Sequence, residues 1–179
     1  MNQYKDFYFP YRTVENEASI IEAYTLHALN HLLKVKRYEW NNDKKIEFNP
    51  NYEVKDKSFT PQKILILVPF RHTAYIIVEI MMRLLPKLKS IRKKEAFEMT
   101  FTDNEASMGG KPCKIFFILK YSFSLVWYQQ IFKGNIDDGF CLGLGLHNGQ
   151  LEIMTKYFES DILIATPLGI QKENANERM

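Results

Sequence analysis

The chain has 179 residues, enough for one ordinary domain, and its 46% hydrophobic and 14% aromatic content suffices for a core. A net charge of +3 is mildly basic; it permits RNA or an acidic partner and demands neither. Two cysteines, Cys113 and Cys141, exclude a disulfide framework and fit no zinc-ligand spacing, so a reducing compartment is expected.

The N-terminal arm, MNQYKDFYFPYR, is aromatic and charged and lacks the apolar core of a signal peptide. Ser19-Ile20-Ile21-Glu22 reads as a capping box that opens a helix. Ile21, Thr25, Ala28 and Leu32 share one face of it, with Tyr24 and Leu29 beside them, and it is expected to end near Lys36-Arg37. Residues 41–60 are rich in Asn, Lys and Asp and read as a loop. Ile64 to Val68 is an unbroken aliphatic run, which suits a strand covered on both faces. The next helix carries Ala74, Ile77, Val78 and Met81 on one face, and Pro86 limits its length.

Residues 87–94 are basic, and residues 102–112 are turn-rich. The apolar run from Ile115 to Tyr128 fits a strand or a helix equally. It is interrupted by Lys120 and too short to span a bilayer, so no membrane partner is expected. Glycines and aspartates predict turns from Gly134 to Gly149. Leu151–Thr155 and Asp161–Ala165 read as short strands, the second ended by Thr166-Pro167. The pattern predicts an open α/β sheet, in which function sits at the carboxyl ends of the strands.

No G-x-x-x-x-G-K-[ST] phosphate cradle and no Asp-Glu-x-Asp box occurs; Gly110-Lys111 is followed by Pro112. NTP hydrolysis is therefore not expected, nor is any cofactor. His27 and His31 lie one helical turn apart without a third ligand, so no metal is expected. Asp137-Asp138 reads as a turn, and Gly143-x-Gly145 lacks the frame of a dinucleotide fingerprint. Arg71 follows a strand and starts a helix, where amide groups and dipole favour a phosphate; a structural salt bridge is the other reading. Thr166 holds the matching place on the second strand, and two such corners on adjacent strands would form one ledge for a nucleic-acid backbone. The basic run, with Lys87, Lys89, Arg92, Lys93 and Lys94, fits a solvated helix end, an RNA phosphate contact or a nuclear address.

"KILILVPFR" resembles the helicase segment whose strand ends in Pro-Thr-Arg, and "SDILIATPLG" the segment ending in Ala-Thr-Pro-Gly-Arg. Together with "AYTLHALNHLLK", "IFKGNIDDGF" and "YFESDILIATPLGI", they resemble the digestive organ expansion factor family from about Tyr4 to Ile170. The resemblance implies an incomplete RecA-like open sheet with flanking helices and no P-loop. It implies a nuclear, nucleolar factor of the small-subunit processome that acts in pre-rRNA processing as a non-catalytic scaffold. Its partners would be pre-rRNA, the U3 small nucleolar RNA and other processome proteins. Pro69 and Arg71 match the first RNA-facing segment, and Thr166, Pro167 and Gly169 the second; Phe70 and Leu168 depart from the usual residues.

The expected organisation is an arm, capped helix and polar loop over 1–60, a partial helicase-like domain over 61–170, and a polar tail over 171–179. The segment "CKIFFILKYSFSLVW" (113–127) interrupts the family pattern and reads as an insertion, either a translated intron or a lineage-specific segment. The family continues beyond the point matched by Ile170, so a partial gene product is expected. The rival readings are a fragment of an active ATP-dependent RNA helicase and an unrelated nucleic-acid- or protein-binding α/β module.

Overall fold

The structure, a computed structural model, describes residues 5–54, 63–85, 88–102, 132, 134–147 and 149–176. Cys113, the run 115–128, the insertion 113–127, the Gly110-Lys111 pair and Lys87 lie outside the described residues. The elements are α1 (Glu17–Phe48), β1 (Ile64–Leu67), α2 (Arg71–Leu84), β2 (Ser90–Arg92), α3 (Lys94–Phe101), β3 (Cys141–His147), β4 (Gln150–Thr155), a 3-10 turn (Tyr157–Glu159), β5 (Ile162–Ala165) and α4 (Pro167–Asn176). They build one five-stranded sheet in the order β1-β5-β3-β4-β2. β1 pairs with β5, and β2 with β4, in parallel; β3 lies between β5 and β4 and runs against both. The fold is mixed α/β with a mostly parallel sheet and flanking helices, consistent with a RecA-like domain.

The aliphatic strands appear where the runs predict them, with one difference. β5 is buried along almost its whole length, but β1 alternates: Leu65 and Leu67 are 55% and 56% exposed. β1 is an edge strand, and among the described residues only the face bearing Ile64 and Ile66 packs on the core.

α1 also departs from its expected bounds. It starts at Glu17, and Ser19 lies inside its first turn. Thr13 and Asn16 set the entry instead: each backbone N–H donates to the other's side-chain oxygen, at 2.7 Å for Thr13 and 3.3 Å for Asn16. The helix continues past Lys36-Arg37 to Phe48, through residues expected to be loop. Side-chain pairs support that extension: Lys63 meets Glu39 at 3.2 Å, and the Lys44 ammonium lies 3.7 Å from the centre of the Trp40 ring. It stops at Asn49, which is extended, as suits the residue before a proline.

The second difference is β3, found where turns were expected. "LGLGL" is a period-2 pattern whose leucines, Leu142, Leu144 and Leu146, are buried. The glycines between them answer a close approach by β4. A Cβ on Gly143 would sit 2.6 Å from the Thr155 carbonyl oxygen, and the β3–β4 register shifts between Gly143 and Leu144. β2 and α3 were likewise hidden within the basic run and the residues after it. Residues 171–176 continue α4.

The core gathers Leu29 and Leu32 of α1, Ile77, Val78 and Met81 of α2, Phe97 and Phe101 of α3, and Leu144, Ile153 and Ile164 of the sheet. Each such side chain contributes roughly 1.5–3 kcal/mol by leaving water. An aromatic series, Tyr75, Phe97, Phe101 and Phe140, runs from α2 through α3 toward the start of β3, with successive ring centres 5.7, 4.8 and 5.2 Å apart. It fixes α3 against the end of the sheet where β1, β4 and β5 finish.

Candidate nucleic-acid interface

β1 and β5 are parallel neighbours, with Leu67 opposite Ala165, so the corners that follow them stand side by side. Val68 N–H donates to the Ala165 carbonyl at 3.0 Å and extends the ladder by one step. The chain then turns at Pro69-Phe70 into α2, and at Thr166 into α4.

The segment 134–140, GNIDDGF, lies across both corners. At the first, Phe70 offers α2 no side-chain cap; the Arg71 N–H donates to the Asp137 carbonyl at 3.1 Å and the His72 N–H to the Asn135 carbonyl at 3.0 Å. These are the amides that a phosphate would otherwise meet at a helix start. At the second, the buried Thr166 is the N-cap of α4: its hydroxyl accepts the Gly169 N–H at 2.9 Å and donates to the Asp138 carbonyl. Its N–H donates to the Phe140 carbonyl at 3.2 Å. Pro167 occupies the first helical position, where its missing N–H costs nothing. The segment stiffens itself: Asn135 Oδ1 accepts from Asp137 N–H at 3.1 Å, and Asp137 Oδ1 from Gly139 N–H at 2.7 Å.

Arg71 is held rather than displayed. Its Nε lies 3.1 Å from Asp137 Oδ2, an ion pair in which the N–H has no aligned acceptor. Its Nη1 reaches the Thr100 carbonyl at 3.5 Å, and its guanidinium carbon lies 5.2 and 5.7 Å from the ring centres of Phe101 and Phe140. Its side chain is 18% exposed. Gly169 is buried, and a Cβ there would lie 1.9 Å from the Phe140 carbonyl oxygen.

The basic run sits elsewhere. Arg92 ends β2, the edge strand opposite β1; Lys93 takes a left-handed conformation (φ 60°), and Lys94 starts α3. All are exposed, as is Lys89. Glu152 of β4 answers Arg92 at 3.5 Å and Lys93 at 3.0 Å, and its carboxyl is held below the usual range chiefly by the hydrogen bond from Lys93. α3 joins the two regions. Its last turn presents the Thr100 carbonyl to Arg71 and to Asn135 Nδ2 (3.2 Å), so one eight-residue helix, about 12 Å of rise, separates the basic run from the corner.

Beside the corner, where β4 ends, a cavity of about 660 Å³ opens between α3, the start of β3 and the 3-10 turn. Burial raises the pKa of the Cys141 thiol and the Tyr157 phenol lining it, so both stay protonated at neutral pH. The sequence points to Arg71 and Thr166 but not to their partners, Asp137 for the first and the Asp138 and Phe140 carbonyls for the second. The Asn-x-Asp-x-Gly spacing, a chain of side-chain-to-backbone turns, was the available signal. Among the described residues no group of three or more His, Cys, Asp or Glu is placed to hold a metal, and no helix is long and apolar enough to cross a membrane.

A sheet with four parallel strands and two joined corners at their carboxyl ends is consistent with a RecA-like, NTP-hydrolase-like α/β domain. Residues 4–179 match the family described as "UTP25, NTP hydrolase-like domain", and the chain belongs to that family. The digestive organ expansion factor family, to which the motifs point, is the same family. Three relatives, each named U3 small nucleolar RNA-associated protein 25, give the measure of similarity. The protein of Eremothecium gossypii is 32% identical over 96% of this chain and 22% of its own length. That of Kluyveromyces lactis is 36% identical over 96% and 22%. That of Saccharomyces cerevisiae strain S288c is 32% identical over 99% and 23%. The chain thus spans less than a quarter of the curated relatives it matches. No solved structure matches it.

Proposed function

We propose that this chain belongs to a nuclear, nucleolar ribosome-biogenesis factor of the small-subunit processome. It acts in pre-rRNA processing as a helicase-like scaffold that binds RNA and protein without hydrolysing nucleotide. Its partners are pre-rRNA, the U3 small nucleolar RNA and neighbouring processome proteins. The relatives' name supports the setting. The observation behind the non-catalytic reading is that this sequence holds neither a G-x-x-x-x-G-K-[ST] cradle nor an Asp-Glu-x-Asp box; the GNIDDGF carbonyls take the α2 amides that an RNA phosphate would otherwise meet at this corner.

RNA contact is assigned to the exposed cations Lys89, Arg92, Lys93 and Lys94, with Lys87 beside them in sequence. The corner of Arg71, Thr166 and Gly169 orders the ledge that a strand leaving these cations reaches. Phosphate contacts of this kind position RNA without reading its sequence. Purifying the tagged chain from nuclear extract and measuring co-purified small nucleolar RNAs tests this reading. Enrichment of U3 over unrelated small RNAs is expected; equal recovery of all would overturn the assignment.

A further inference from the structure

Two polar side-chain atoms that are buried without an aligned hydrogen-bond partner, Arg71 Nε and Thr155 Oγ1, belong to residues lining the same cavity of about 660 Å³. A buried polar atom left unsatisfied costs free energy; Arg71 Nε already has the Asp137 carboxylate 3.1 Å away, so Thr155 Oγ1 is the atom that a ligand's polar edge would satisfy. The cavity lies where β1 and β4 end, the side of an open α/β sheet at which ligands bind. Its rim carries Phe158, 73% exposed, and Lys156, exposed and without an ion pair among the described residues. Tyr157 and the Glu173 carboxylate complete that side. Gly143 leaves the floor open, since a Cβ there would strike Thr155.

These are a hydroxyl that can give or take, a carboxylate, an exposed aromatic face and an exposed ammonium. A nucleobase has both a flat face and an edge of mixed donors and acceptors, and it comes with a phosphate. From this we infer that the cleft between α3 and the 3-10 turn accepts one unstacked base of a single-stranded RNA. Phe158 supplies the stacking face, Thr155 the polar contact and Lys156 the charge for the adjoining phosphate. The inference rests on the RNA-binding reading above and adds to it a pocket for a base. Single strands are held in this way because every base presents a stackable face.

The test compares a short single-stranded RNA with the same backbone lacking bases, by fluorescence anisotropy on the full 179-residue chain. Intact RNA should bind more tightly. Phe158→Ala should weaken intact RNA about tenfold and leave the base-free strand unchanged. Thr155→Val, close in shape, should weaken intact RNA by a smaller factor. Phe158 is exposed, so its loss does not threaten folding. If intact and base-free strands bind equally, or Phe158→Ala has no effect on intact RNA, the base pocket is wrong while RNA binding through the basic run stands. A nucleoside monophosphate binding as tightly as the strand would make this a free-nucleotide site and overturn the inference. No binding of either strand would sink both readings.

Discussion

Arg71 and Asp137 form an ion pair, Nε to Oδ2 at 3.1 Å, that fastens the start of α2 to the segment crossing the sheet's carboxyl end. The same arginine lies over Phe101 and Phe140, so one guanidinium joins α2, α3 and the entry to β3. The partly exposed pair contributes about 1 kcal/mol. The ring contacts contribute about 1 kcal/mol more. Arg71→Ala should lower unfolding free energy by about 2 kcal/mol in a denaturant titration. Asp137→Asn should cost about half as much. With the ledge loosened, single-stranded RNA affinity should fall alike for every sequence, since contacts of this kind position RNA without reading it. Unchanged stability in Arg71→Ala would remove the clasp from the account.

Gly169 and Gly145 should respond very differently to one added methyl group. At Gly169 the new carbon would lie 1.9 Å from the Phe140 carbonyl oxygen, a backbone atom in the crossing segment. At Gly145 it would lie 3.0 Å from the His147 imidazole, a side chain that can swing aside. Gly169→Ala should cost at least about 3 kcal/mol, at the upper end of single-substitution effects, and Gly145→Ala under about 1 kcal/mol. Melting curves for the two variants check this directly. Thr166→Val, which removes the α4 cap, should fall between them at about 1–2 kcal/mol.

Asp161 is 4% exposed; it accepts the Leu146 N–H at 2.8 Å and meets the Lys36 ammonium at 2.6 Å. Removing the carboxylate leaves a buried backbone donor and a half-covered lysine without their acceptor. Asp161→Ala should cost about 3–5 kcal/mol, the range for breaking a buried pair on one side. Lys36→Met should cost less than this but remain clearly destabilising, because the buried carboxylate keeps its backbone partner and loses its counter-ion. Equal losses in the two variants would place the energy in the ion pair rather than in the hydrogen bond to β3.

Glu152 restrains two of the four exposed cations assigned to RNA. Glu152→Gln should release Arg92 and Lys93, strengthen RNA binding several-fold and steepen the salt dependence by up to about one unit for each cation freed. Its carboxyl is held below the usual range, chiefly by the Lys93 hydrogen bond. Its contribution to stability is therefore present above the ordinary carboxylate pKa and lost as the pH falls through the folded-state value. Lowering the pH through the acid range should reproduce the effect of Glu152→Gln on RNA binding.

Much of this architecture was legible in the sequence. Ile64–Val68 and Asp161–Ala165 announce themselves as unbroken aliphatic runs, the pattern of a strand covered on both faces, which β5 is and the edge strand β1 is not. The face of Ala74, Ile77, Val78 and Met81 repeats cleanly at helical spacing. The exposure of Leu65 and Leu67 was not legible, since an edge strand and a central one can share a composition. β3 was hidden by its glycines, which read as turns until Thr155 is seen pressing on them. The length of α1 was hidden because Asn41-Asn42-Asp43 disfavours a helix locally, while the ring and ion-pair contacts that sustain it are visible only in three dimensions. At the site, Arg71 and Thr166 follow strands in plain view. Their partners in GNIDDGF come from a distant stretch of chain, and no local pattern tells an arginine that awaits a phosphate from one already met by an aspartate.

The central claim is a helicase-like domain that holds RNA without nucleotide. Titrating single-stranded RNA into the chain with and without Mg-ATP, with calorimetry of Mg-ATP alone, tests it most directly. RNA should bind with the same affinity in both conditions, and Mg-ATP should give no saturable heat in the micromolar range. Saturable ATP binding at those concentrations, together with a nucleotide-dependent change in RNA affinity, would contradict the account and make this a working part of a motor.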